Sequence, residues 1–214
     1  MSAPVAMFGA ALRRAARGDG ASLTLLDRRG TPLRLYDAGV WSADQRAGDR
    51  SLVDRCRQYT IDLGCGPGRL AAALAGAGRP VLGVDISPQA VRFARLRGVP
   101  ALLADALGPL PDEGRWHSAL LADGNIGIGG DPVRLLRRTG RLLRPGGRLL
   151  VEVDPPGHGS WQGDVALSDG RSVSDAFAWA FVGADQIAAI AAAAGLRVLE
   201  SWTEAGRWFV DLRG

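Results

Sequence analysis

The sequence predicts an α/β fold, a three-layer α/β/α sandwich around a mostly parallel sheet. Three observations predict it. From about residue 58 onward, short apolar runs alternate with helical patterns, and strand–helix–strand succession with right-handed crossovers builds a parallel sheet covered on both faces. One of those runs, Thr60–Leu63, enters a glycine-rich turn, Gly64-Cys65-Gly66-Pro67-Gly68, which leads directly into an alanine- and leucine-rich helix over Arg69–Gly76. Successive strands also end in or just before an acid, at Asp62, Asp85, Asp105 and Asp123. That places four carboxylates at the sheet edge where open parallel sheets bind ligands.

Taken in order, residues 1–57 read as an N-terminal addition that caps a core of residues 58–214. The addition contains a helix over residues 4–17, a hairpin of residues 23–27 and 33–37 turning at Arg29-Gly30, and a helix over residues 43–56 with Asp and Arg on its exposed side. In the core, the second strand is Val81–Asp85, followed by a helix over 88–97 and a third strand over 101–104 after the break Gly98-Val99-Pro100. A fourth strand spans 118–123, a helix 132–143, and a fifth strand 149–154 is entered through Pro145-Gly146-Gly147. Beyond residue 155 come Pro155-Pro156-Gly157-His158-Gly159, a polar and aromatic stretch, a helix over 184–194, and strand-like runs 197–202 and 207–212. Gly206 between those runs predicts a hairpin that adds an antiparallel edge strand.

At 214 residues, 47% hydrophobic and 22% charged, the chain has material for one full core. No apolar stretch approaches the ~18 residues of a spanning helix, and the N-terminal apolar run precedes its arginines, the reverse of a signal peptide. A cytoplasmic protein with no membrane contact is expected. Cys56 and Cys65, the two cysteines, are expected as reduced thiols, and they are too few for a metal cluster. All 26 basic residues are arginine, against 22 acids, a formal charge of +4. They are scattered along helical segments, as at Arg92, Arg95, Arg97, Arg134, Arg137, Arg138 and Arg141, with no aromatic platform between them. A solvated face is expected, not a nucleic-acid partner.

The turn carries the chemistry. Residues without a Cβ let backbone N–H groups approach a ligand at the head of the following helix. The dinucleotide fingerprint is G-x-G-x-x-G, with its last glycine packed against the sheet. Here that position is Arg69, and Pro67 removes an amide a pyrophosphate would use. A phosphate-free ligand fits better. Asp85, 17 residues beyond Gly68, is placed to accept both ribose hydroxyls of an adenosine lying across the strand ends. Asp105, in Ala104-Asp105-Ala106-Leu107, is placed for the adenine amino group, and Asp123 ends the fourth strand at the same edge. Cys65 is expected as a small buried side chain beside the turn, not a nucleophile.

Together these segments resemble the class I S-adenosylmethionine-dependent methyltransferases. Asp62-Leu63-Gly64-Cys65-Gly66-Pro67-Gly68 is similar to the family's first motif, Val84-Asp85-Ile86-Ser87 to its ribose-binding acidic loop, Ala104-Asp105-Ala106 to its adenine-binding loop, and residues 142–150 to the turn before its fifth strand. The resemblance implies a Rossmann-like fold whose sheet has seven strands, the last antiparallel. It implies S-adenosyl-L-methionine as cofactor and S-adenosyl-L-homocysteine as product. Asp62, Gly64, Cys65, Gly66, Gly68, Asp85, Ile86, Asp105, Ala106 and Asp123 would line the cofactor, with Asp62 on its amino group. The continuation Asp123-Gly124-Asn125-Ile126-Gly127-Ile128-Gly129-Gly130 is unlike the Asn/Asp-Pro-Pro-Tyr/Phe signature of amino-group DNA methyltransferases, which argues against base methylation.

Methyl transfer from a sulfonium needs mainly positioning, and a base only if the acceptor must lose a proton. Asp123 and His158 are the candidates for catalytic roles, Asp123 beside the expected methyl position and His158 in a loop after the fifth strand. His117, ahead of the fourth strand, reads as structural. The aromatic residues Trp161, Phe177, Trp179 and Phe181, with Tyr36 and Trp41, serve equally as a pocket or as core. A small organic acceptor is expected, and a homodimer stays open. Two rival readings remain: an NAD(P)-dependent oxidoreductase, and a catalytically silent S-adenosylmethionine-binding protein.

Overall fold

The computed structural model describes residues 2–214. In chain order the elements are α1 (Ala3–Ala15), β1 (Ser22–Asp27), β2 (Pro32–Asp37), α2 (Ala38–Ser42), α3 (Asp49–Arg55), β3 (Thr60–Leu63), α4 (Arg69–Gly76), β4 (Val81–Asp85), α5 (Pro88–Leu96), β5 (Ala101–Leu103) and β6 (Trp116–Leu121). A 3-10 segment over Asn125–Gly130 precedes α6 (Pro132–Leu142), β7 (Leu143–Val153), β8 (Ser160–Ser168), β9 (Phe177–Val182), α7 (Ile187–Ala193), β10 (Arg197–Glu204) and β11 (Arg207–Arg213).

Seven strands form the main sheet in the order β10-β11-β7-β6-β3-β4-β5. From β7 to β5 every pairing is parallel, and β11 runs antiparallel to both of its neighbours. The seven-stranded, mostly parallel α/β fold is therefore present. The antiparallel strand is internal, not at the edge as expected. Phe209, Val210 and Leu212 of β11 are buried, whereas Arg197–Glu204 is largely exposed and polar, a composition suited to an unpaired edge.

Alternation along the buried strands separates two cores. Leu149 and Val151 of β7 pack with Leu135 and Leu142 of α6 and Ile187 of α7, while Leu150 joins Leu70 and Leu74 of α4, Val91 of α5 and Leu52 of α3. These are the two outer layers of the sandwich. The helix starts follow local rules: Ser87 Oγ accepts from Ala90 N ahead of Pro88, and Asp131 accepts from Arg134 N ahead of Pro132.

A second, antiparallel sheet has the order β2-β1-β8-β9. It corrects the expected boundary at residue 57, because the N-terminal hairpin pairs with β8, from the far end of the chain. The cap is built jointly by residues from both sides of that boundary. The helix expected over 43–56 is also shorter, starting at Asp49 after Gly48, whose φ of +89° suits glycine. Among the described residues no helix is long and apolar enough to cross a membrane.

Candidate functional site

From β3 the chain moves outward to β4 and β5, then returns on the other side of β3 to form β6. This is the switch point of an open α/β sheet, where ligands bind beyond the strand ends. The glycine turn lies there. Gly64 has φ +73°, and a Cβ on it would come within 2.6 Å of Asn125 Nδ2, which itself donates to the carbonyls of Leu63 and Gly64. Gly68 has φ +87°, and its Cβ would meet Ala94 of α5 at 2.9 Å. Gly66 instead faces open space, and its N–H donates to Asp85 Oδ2 at 2.9 Å.

Asp85 also accepts from Ser87 N at 2.8 Å, so one carboxylate ties the ends of two strands together. Burial pushes its pKa up despite the N–H groups of Ser87 and Gly66. Asp62 is 2% exposed, and burial, followed by repulsion from Asp123, pushes its carboxyl up to about 7. Asp105 lies exposed, with its Oδ1 accepting from Leu107 N, next to buried Ala106. Ile86 is 57% exposed. Cys65 packs against Gly83, where a Cβ would lie 2.7 Å from Sγ, and burial pushes its thiol up.

One cavity of about 460 Å³ brings together Asp62, Gly64, Cys65, Gly66, Asp85, Ile86, Asp105, Ala106 and Asp123. Gly68 stays behind it, against α5. Beside these residues the cavity continues into an apolar lobe made by α1, β1, β8 and β9. Phe177, Trp179, Tyr36 and Trp41 line it, whereas Trp161 packs in a tilted arrangement against Phe181 away from it, with ring centroids 5.7 Å apart. Leu23, Leu25 and Leu167 of the lobe were not anticipated. The signal was the alternation Phe177, Trp179, Phe181, a strand period inside the stretch read only as polar and aromatic.

Asp123 lies in the cavity wall but is not a free base. Its Oδ1 accepts from Arg46 Nη1 at 2.7 Å and its Oδ2 from Arg69 Nη2 at 2.6 Å. Arg69 and Arg207 both reach Asp49, at 3.0 and 2.8 Å, and Arg207 also pairs with Glu152. Burial raises Asp123 above the usual carboxylate range despite Arg69. For Glu152, burial acts upward but the hydrogen-bonded Arg207 guanidinium wins and lowers it. Three arginines and three acids thus form a charge-balanced cluster behind the turn. Arg69, where a dinucleotide site has glycine, is 3% exposed and joins Asp49 of the cap to Asp123 of the site.

His158 is a second correction. It is exposed, outside the lining of either main cavity, because the chain turns at Pro155–Gly157 to join the small sheet. His117 sits at the start of β6, with Nε2 2.8 Å from Arg144 Nη1.

Residues 61–151 match the family described as a methyltransferase domain. That stretch, from β3 to β7, is similar to a methyltransferase domain. The similarity is wider in structure than in sequence. A S-adenosyl-L-homocysteine complex of a SAM-dependent methyltransferase from Bacteroides fragilis superposes with a TM-score of 0.80 at 22% identity, covering 99% of this chain and 96% of that one. A ubiquinone biosynthesis O-methyltransferase of Xanthomonas oryzae is 29% identical over 143 residues, 64% of this chain and 53% of its own length. An uncharacterised 37.1 kDa protein carried in a Streptomyces fradiae transposon is 36% identical over 116 residues, 47% of this chain and 31% of its own. The chain thus spans about a third to a half of these two curated relatives.

Proposed function

We propose that this chain is an S-adenosylmethionine-dependent methyltransferase that acts on a small organic acceptor by in-line displacement. The observation that carries the reading is one cavity at the switch point, with Asp85 and the open face of Gly66 at one end and an apolar lobe at the other. The lining fits the cofactor. Asp62, Asp85 and Asp105 supply carboxylates, Asp123 is balanced by Arg46 and Arg69, and Arg69, the one arginine among the described lining residues, is already held by Asp49 and Asp123. Such a wall suits a cationic, phosphate-free adenosine compound and opposes a pyrophosphate.

When bound, S-adenosylmethionine supplies an activated methyl group on sulfur. In this proposal Asp85 accepts the ribose hydroxyls, using the lone pairs left free by its two backbone contacts. Asp62 holds the amino group, and Asp105 with the Ala106 amide meets the adenine. Gly64, Gly66 and Gly68 keep the turn close beneath, with Cys65 and Ile86 as apolar walls. Positioning of this kind is worth ~7–11 kcal/mol. The relative named for ubiquinone biosynthesis supports a small-molecule acceptor.

The test is thermal. S-adenosylhomocysteine at about a hundred times its Kd should stabilise the protein by roughly 2.7 kcal/mol. NADH should leave the melting temperature unmoved, and Asp85→Ala should abolish the shift. A shift with NADH alone would overturn the proposal. Transfer of labelled methyl groups across a panel of phenols, amines, acids and thiols then separates an enzyme from a silent binder.

A further inference from the structure

Asn125, the first residue of the 3-10 segment, lines the cavity beside the glycine turn. It follows Gly124, whose φ of +89° turns the chain out of β6, and its own N–H donates to Ala122 O at 3.0 Å. Its side chain then reaches back to the turn. Nδ2 donates to the carbonyl of Leu63 at 3.0 Å and to that of Gly64 at 2.8 Å. A Cβ on Gly64 would stand 2.6 Å from Nδ2 and 3.0 Å from Oδ1, so only glycine leaves room for the amide there.

Those two carbonyls settle which way the amide points. An oxygen in place of Nδ2 would face two other acceptors, so both amide protons go to the backbone and Oδ1 is left as an acceptor only. Among the described residues no group donates to Oδ1, and it is not sealed from solvent as the unpaired Tyr36 hydroxyl and Ser42 Oγ are.

Asp62, on the same buried strand as Leu63, lines the same cavity. What acts on its carboxyl is burial and the charges of Asp123, Arg69, Asp85 and Asp49, with no hydrogen bond among them. Arg69 is itself committed to Asp49 and Asp123. This stretch of wall therefore presents the oxygens of one carboxylate and of one amide, each on a side chain whose backbone is fixed. A hydroxyl brings one donor to such a wall, whereas an ammonium brings three and a compensating charge.

Resting on the methyltransferase reading, we propose that Asn125 Oδ1 accepts an N–H of the cofactor's ammonium group and completes, with Asp62, a subsite that selects for that ammonium. Asp62 accepts through its carboxylate, and Asn125 takes a donor that the carboxylate leaves over. Because Nδ2 is anchored on Leu63 and Gly64, the side chain that meets the ammonium also braces the glycine turn, so the amino-acid arm is held in register with the ribose end at Asp85.

The test is calorimetry on the intact protein at about pH 8, above the titration of Asp62. It compares S-adenosylhomocysteine with its desamino analogue, the same thioether carrying hydrogen in place of the amino group. Wild type should bind S-adenosylhomocysteine about a hundredfold more tightly than the analogue, and Asn125→Ala should cut that ratio about tenfold, the size of one hydrogen bond to a charged group. The analogue keeps the adenosine, sulfur and carboxylate, so it reports any movement of the turn. A purely structural Asn125 would weaken both ligands alike and leave the ratio where it was. In wild type itself, whatever the variant's stability, the side-chain amide resonance of Asn125 should move further with S-adenosylhomocysteine than with the analogue. Equal affinity of the two ligands for wild type, an unchanged ratio in Asn125→Ala, or equal shifts of that resonance would overturn the proposal and leave the methyltransferase reading standing. If S-adenosylhomocysteine does not bind wild type at all, that reading falls, and this proposal with it.

Discussion

Asp62 shows how far one side chain can be displaced by its surroundings. It sits on a fully buried strand with Asp123 nearby, and its carboxyl titrates at about 7 against an ordinary 3.8. The unfolded chain releases this proton near pH 4 and the folded chain near pH 7, so stability falls as pH rises through that window. Asp62→Asn should therefore gain stability over wild type at about pH 8 and lose the gain near pH 4. Each unit of displacement is worth about 1.4 kcal/mol, and denaturant melts at the two pH values measure the difference. If the cofactor's amino group lies on this carboxylate, S-adenosylhomocysteine affinity should rise with pH up to about 7 in wild type and flatten in Asp62→Asn. Residues at this scale were the most legible. Asp85 is recognisable because a carboxylate ends the strand adjacent to a glycine turn, and the structure places it on the Gly66 N–H. The engagement of Asp123 was hidden, since Arg46 and Arg69 lie 77 and 54 residues away in sequence.

At the scale of elements, the turn and the buried ion cluster hold α4 in place. Arg69→Met removes one partner from both Asp49 and Asp123, and breaking a buried pair in this way costs about 3–5 kcal/mol. Equilibrium unfolding should show a loss of that size. Gly68→Ala should also destabilise, because its φ is +87° and the added carbon would meet the backbone of Ala94 at 2.9 Å. The resulting shift between α4 and α5 should appear as weaker S-adenosylhomocysteine binding in calorimetry. Elements of the main sheet were readable from their apolar runs and capping residues. The strands β8 and β9 were not. Gly163 interrupts the alternation of β8, the segment over 169–176 separates the two strands, and the other partner of β8, β1, lies more than a hundred residues earlier. In the same way, the loop between α2 and α3 replaces part of an expected helix because it delivers Arg46 to Asp123.

Across the whole molecule, the N-terminal segment and the strands β8 and β9 close one cavity over the main sheet. Leu12 of α1 is fully buried with Leu23, Ala38 and Ala90, linking the small sheet to α5. Leu12→Ala should cost about 2–5 kcal/mol. Hydrogen exchange should then quicken in α1, β1 and β2 before the main sheet. The sequence by itself determined the parallel α/β core, the strand-to-helix turn and the acids at the strand ends, because period, glycine placement and strand termini are local properties. Only the tertiary structure decided that β11 lies inside the sheet, that residues 22–37 and 160–182 share a second one, and that Asp123 is held by arginines. Each of these depends on contacts between segments far apart in the chain, where burial and charge pairing, not local pattern, select the arrangement.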